Sequence, residues 1–180
     1  MQDVAAYSLT ATGEAEGRIQ FFFESLGSAR IVKVIEYTAI RQAGSRVLYN
    51  LGFGDYDEES GQVSDLMNSN NGDMRRVFNT VLSTVPLFFA TNPHDVIVVR
   101  GSDSDKEAAL RCFATCRKGC VEYCKNADRR IRTYRYFVEK NFAALVREYV
   151  IFGSYRDDID DFVRYVPGED YVAILVYRKY

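Results

Sequence analysis

Between Arg18 and Asp55, three runs of β-branched and aromatic residues, RIQFFFES, ARIVKVIEYT and GSRVLYNLGFGD, follow one another with only short Gly- and Ser-containing breaks. Such residues favour a pleated, half-buried backbone. In the third run Tyr49, Leu51 and Phe53 alternate with Asn50, Gly52 and Gly54, the period of a strand with one buried face. Three such strands joined by tight turns predict an antiparallel meander.

The rest of the chain changes period. DYDEESGQVSDLMNSNNGD has almost no apolar repeat and reads as a loop, with Asn70 to Asp73 supplying helix-start chemistry. Met74, Val77, Phe78, Val81, Leu82 and Val85 then recur at helical spacing, and Pro86 is expected to kink that helix or end its regular part. After ATNPHD, VIVVR reads as a short buried strand and GSDSD as the cap of a cysteine-bearing helix. KNAD breaks this from a further helix, RRIRTYRYFVEKNFAALVREY. YVIFGSY and YVAILVYRKY read as closing strands around an acidic connection with a Pro167-Gly168 turn. The expected fold is α+β: an antiparallel sheet of an N-terminal three-strand meander, one central strand and two C-terminal strands, packed against about three helices.

With 180 residues, 47% of them hydrophobic, the chain can bury a full core, and a single domain over 1–180 is expected. No run of eighteen apolar residues occurs, and MQDVAAYSLT lacks the basic-then-apolar pattern of a secretory leader. A cytoplasmic protein without a membrane role is therefore expected, with its thiols reduced. The net charge of -2 argues against wholesale electrostatic binding of nucleic acid. Locally the balance reverses: Arg111 to Arg135 holds eight basic residues against two acidic ones. Acid gathers elsewhere, at Asp55, Asp57, Glu58, Glu59 and Asp65, and at Asp157, Asp158, Asp160 and Asp161.

All four cysteines, Cys112, Cys116, Cys120 and Cys124, recur at intervals of four. On a helix each is turned about 40° from the last and the set spreads over about 18 Å, so one ion cannot be held by all four. They read first as small buried hydrophobes, with a metal shared across a dimer or redox-sensitive thiols as alternatives.

A polar constellation arises at the junctions. Asp55 ends a strand, Asn71 and Asp73 precede a helix, and Gly101 and Ser102 join a strand to a helix. Were these to meet at one sheet edge, two helix N-termini with Arg130, Arg132, Tyr134 and Arg135 nearby would outline an anion site. The same residue types are also what caps and tight turns require. Hydrolase chemistry would have to use the sole histidine, His94, and no G-x-S-x-G, P-loop or dinucleotide fingerprint is present.

YNLGFGDY, SNNGD, VVRGSDSD, RRIRTYRYFVEKNF and YVAILVYRKY together resemble a family of small bacterial proteins known only as a domain of unknown function, over roughly Arg18 to Tyr180. In that family an Arg-rich helix follows the strand-Gly-Ser segment almost directly. The resemblance therefore implies that Lys106 to Asn126 (106–126) is an inserted Cys-rich helix, and it supplies no activity. The functional expectation is a non-enzymatic binding protein whose basic helix and polar junctions recognise a protein or a nucleic-acid or other anionic partner. No cofactor is expected, and a homodimer is allowed. The alternative is a small histidine-independent RNA-directed enzyme of the toxin type, centred on Arg130, Arg132, Tyr134 and Asp55.

Overall fold

Phe21, Phe23 and Ser25 are buried at every second position of one strand while Phe22 turns to the other face, the alternation a half-buried strand requires. In the computed structural model, which describes residues 5–15, 17–64, 71–101, 110, 120, 128–156 and 161–180, this is the second of nine strands. They are β1 (Leu9–Ala15), β2 (Arg18–Leu26), β3 (Arg30–Ala43), β4 (Arg46–Tyr56), β5 (Val63–Ser64), β6 (Val96–Arg100), β7 (Tyr149–Ser154), β8 (Val163–Arg164) and β9 (Ala173–Arg178). The described helices are α1 (Met74–Thr91), α2 (Arg129–Lys140) and α3 (Phe142–Glu148).

The chain divides into two compact units, Met1–Ile97 and Val98–Tyr180. In the first, β1 to β4 form an antiparallel ladder, with β5 added to β4. Register sets Ile35 opposite Phe53 and Tyr37 opposite Leu51. Helix α1 covers the buried face: Phe88 stacks on Tyr37 with ring centroids 4.5 Å apart, and Phe78 meets Phe53 edge-on at 5.2 Å. Buried hydroxyls are matched, since Tyr37 and Thr84 share a hydrogen bond of 2.8 Å. In the second unit β7 pairs antiparallel with β9 and β8. Ile131, Tyr134, Phe137 and Val138 form the buried side of α2.

Three expectations are corrected. The described residues are mostly sheet, with nine strands in a mixed rather than wholly antiparallel arrangement, instead of six antiparallel strands on about three helices. The added strands have physical reasons to be missed: β1 is built of small and polar residues, and β5 and β8 hold only two residues each. Pro86 does not end its helix, one of the two outcomes expected there: α1 runs through it to Thr91, because buried Phe88 and Phe89 hold its last turn against the core despite the lost backbone donor. The long C-terminal helix is two helices: at Asn141 the backbone turns to φ -107°, ψ 9°, and the side-chain amide donates to Phe137 O at 2.8 Å.

The cysteine helix expected over 106–126 lies outside the described residues except for Leu110 and Cys120. Among the described residues no helix is long and apolar enough to cross a membrane.

Candidate functional site

Two polar assemblies stand out, one in each unit. In the first unit the turn after β2, the start of α1 and the N-terminal segment converge. Asp73 opens α1, yet its carboxylate does not cap the helix; it accepts from Ser25 Oγ at 2.6 Å and from the Tyr7 hydroxyl at 2.7 Å. Asn71 donates to Ser25 Oγ at 2.8 Å and Ala29 O at 3.0 Å, while its Oδ1 accepts from Ala29 N at 2.8 Å and Ser28 Oγ at 3.0 Å. Gly27 lies so close that a Cβ there would collide with the Asn71 carbonyl. Lys33, buried on β3, forms an ion pair with Asp55.

The electrostatics follow from these partners. Burial works against the charged form of Asp73, but hydrogen bonds from Ser25 and Tyr7 and the nearby Lys33 charge outweigh it, so its carboxyl sits below the usual range. Burial, then the hydrogen bond to Asp73, pushes the Tyr7 phenol up. The Arg76 guanidinium lies over the Tyr7 ring, 3.9 Å from its centroid. Ser25 is 0% exposed and Tyr7 6%, while Asp73 is half-buried, so the serine and tyrosine of the group are screened from solvent. With its hydrogen bonds directed to Ser25, Tyr7 and the turn backbone, this assembly can organise the turn.

In the second unit α2 holds the turn that follows β8. Arg135 donates to Asp170 Oδ1 at 2.7 Å and to Glu169 O at 3.1 Å. One turn later Glu139 Oε1 accepts from Gly168 N at 3.0 Å and from the Tyr165 hydroxyl at 3.2 Å. Burial, followed by the Glu139 charge, pushes the Tyr165 phenol well up. The opposite side of α2 faces solvent, with Arg129, Arg132, Tyr136 and Lys140 exposed.

The residues expected to form an anion site are therefore distributed. Asp55, Asn71 and Asp73 lie in the first unit, where the charge of Lys33 acts on both carboxylates. Gly101 follows β6, and Ser102 lies outside the described residues. Tyr134 is buried in the second unit, Arg135 is committed to the turn, and Arg132 Nε donates to Asp128 O at 3.2 Å. Arg130 is half-buried. Cys120 is a partly buried thiol, and Cys112, Cys116 and Cys124 lie outside the described residues. Among the described residues no three His, Cys, Asp or Glu side chains form a metal-holding group.

Sequence reasoning missed Tyr7, Ser25 and Lys33, and it missed Tyr136 and Lys140. A lysine between Val32 and Val34 in an apolar strand was the available signal for the first group. For the second it was the spacing of Arg132, Tyr136 and Lys140, which sets them on the side of α2 away from Ile131, Tyr134 and Val138.

The family of unknown function DUF6934 matches residues 4–112. The chain belongs to this family. The DUF6934 match takes in Tyr7, Ser25, Lys33, Asp55, Asn71 and Asp73, and ends before α2 begins. Its extent differs from the Arg18 to Tyr180 over which the motifs suggest kinship. No curated protein and no solved structure matches the chain.

Charge separates along the DUF6934 chain in the same way. Residues 1–97 carry seven basic and twelve acidic residues, a balance of -5; residues 98–180 carry sixteen and thirteen, a balance of +3. The exposed α2 face thus belongs to the positive unit.

Proposed function

We propose that this protein is a binding protein that takes an anionic partner on the solvent face of α2. The observation that carries the reading is the exposure of Arg129, Arg132, Tyr136 and Lys140 on one side of that helix. The only acidic residue within α2, Glu139, is engaged by Gly168 N and Tyr165 and belongs to the turn. A concentrated positive face attracts polyanions even when the whole chain is slightly acidic, because screening limits each charge to about 8 Å at physiological salt. The buried Tyr134 and the ion pair of Asp55 with Lys33 weigh against the RNA-directed enzyme built on those residues.

Residues 106–126 are taken as a Cys-rich insertion, and the family match ends at residue 112, inside that segment. A cytoplasmic setting, which keeps thiols reduced, suits the same reading.

Heparin chromatography tests the proposal. The wild type is expected to be retained and released by salt, and Arg129→Glu with Lys140→Glu to elute much earlier. Arg75→Glu, an exposed change on α1, serves as the control for net charge and is expected to elute close to wild type. Equal elution of the α2 variant and the wild type would sink the proposal.

A further inference from the structure

We infer that the anionic partner is a single-stranded nucleic acid, with Tyr136 as the platform on which an unpaired base stacks; this rests on the basic face of α2 being the binding surface. Helical geometry places Arg129, Arg132, Tyr136 and Lys140 within about 80° of arc and about 16 Å of axis. Tyr136 falls between Arg132 and Lys140 in both rotation and height. The aromatic ring is therefore central to the stripe and the cations flank it.

Three features of the ring fit a base rather than a phosphate or a carboxylate. Tyr136 is 49% exposed although it sits on a helix whose other large apolar side chains, Ile131 and Phe137, are buried. Its ring meets Phe137 edge-on, with centroids 5.4 Å apart and planes at 89°, which holds the ring in position before anything binds. No shortage of core explains its exposure, since the same helix buries Tyr134 with 6% exposed.

Cations that track a sugar-phosphate chain, with an aromatic face between them, form the sequence-tolerant arrangement by which proteins hold unpaired strands. A duplex offers the same phosphates but keeps its bases stacked on one another, so it uses the cations and leaves the ring idle. An acidic peptide likewise offers no π-face to Tyr136.

Fluorescence anisotropy on the full chain tests the inference with four probes: a labelled single-stranded RNA twelve-mer, the DNA equivalent, a duplex of the same sequence, and polyglutamate. The single strands are expected to bind tighter than the duplex, with a salt slope near -2 for about three phosphate contacts. Tyr136→Ala is expected to weaken single-strand binding about 5- to 150-fold while leaving duplex binding unchanged, and Tyr136→Phe to retain it. Equal affinity for single strand and duplex, or an Ala variant that binds single strands like wild type, would overturn the single-strand assignment while the anionic face stands. Polyglutamate bound more tightly than either nucleic acid would overturn it in favour of an acidic protein partner. If none of the probes and no heparin is bound, the binding face itself is refuted.

Discussion

The Tyr7 hydroxyl and the Asp73 carboxylate meet at 2.7 Å across sixty-six residues of chain, joining the N-terminal segment to the first turn of α1. The same hydroxyl accepts from Leu26 N at 3.0 Å, so one side chain ties together three segments. Tyr7→Phe leaves that carboxylate and that backbone donor short of a partner, and a loss of about 1–3 kcal/mol in urea unfolding is expected. A change within experimental error would show that water replaces the hydroxyl without cost.

Acid should act on the same pair. The folded state holds the Asp73 carboxyl below its ordinary value, so its contribution is complete above the unfolded value of about 3.9 and is lost as pH falls through the folded one. Asp73→Asn removes that titration. Stability of the variant measured between neutral and acid pH is expected to fall less steeply than that of wild type, and parallel curves would exclude Asp73 as a source of the acid sensitivity.

Lys33 and Asp55 give a different signature. Removing Lys33 leaves the Asp55 carboxylate without this counter-ion, and Lys33→Met alone is expected to cost about 3–5 kcal/mol; Asp55→Asn, which leaves Lys33 the charge of Asp73, is expected to cost less. The double variant Lys33→Met with Asp55→Leu should recover much of that loss, because a well-packed apolar pair needs no counter-ion. A double-mutant cycle reads the coupling directly, and additive single losses would contradict a coupled pair.

In the second unit the alkaline limb is informative. Tyr165 stays protonated where ordinary tyrosines ionise, chiefly through burial and then through the Glu139 charge. With a folded value above the unfolded one, its contribution is present below about pH 10 and is lost as pH rises through the folded value. Phenolate absorbance of Glu139→Gln should therefore develop at lower pH than in wild type, and an unchanged titration would remove Glu139 as a cause.

Packing supplies a fifth test. Phe88 stacks on Tyr37 and is fully buried, so Phe88→Ala is expected to cost about 3–5 kcal/mol by calorimetry or denaturant. Leu87→Ala one residue earlier, where the side chain is 46% exposed, should cost far less.

What could be read from the sequence follows local periodicity. β2, β3, β4 and the body of α1 show because Phe21, Phe23, Val77, Phe78 and Val81 repeat at the spacing of their element. β1 does not show, since Thr10, Ala11 and Thr12 are exposed and its evidence is the pairing with Phe21 to Phe23 supplied by β2. The break at Asn141 is hidden because apolar spacing continues through Phe137, Val138, Phe142 and Leu145. At the junctions Asp55, Asn71 and Asp73 were recognisable as polar, but their partners Lys33, Ser25 and Tyr7 are distant in sequence. Read locally, Asn71 and Asp73 look like outward-facing caps; non-local hydrogen bonds turn them inward.

Gly153 on β7 carries the aromatic ring of Tyr171 where any other residue would place its own Cβ. That fit has a consequence for how the C-terminal strand finds its place. A slip by one residue would drive the ring against Phe152 or Ser154 and exchange the inward and outward sets of β9. The glycine and the tyrosine therefore work as a key and its slot: among the possible alignments of β9 on β7, the native one is where the ring finds a place to lie.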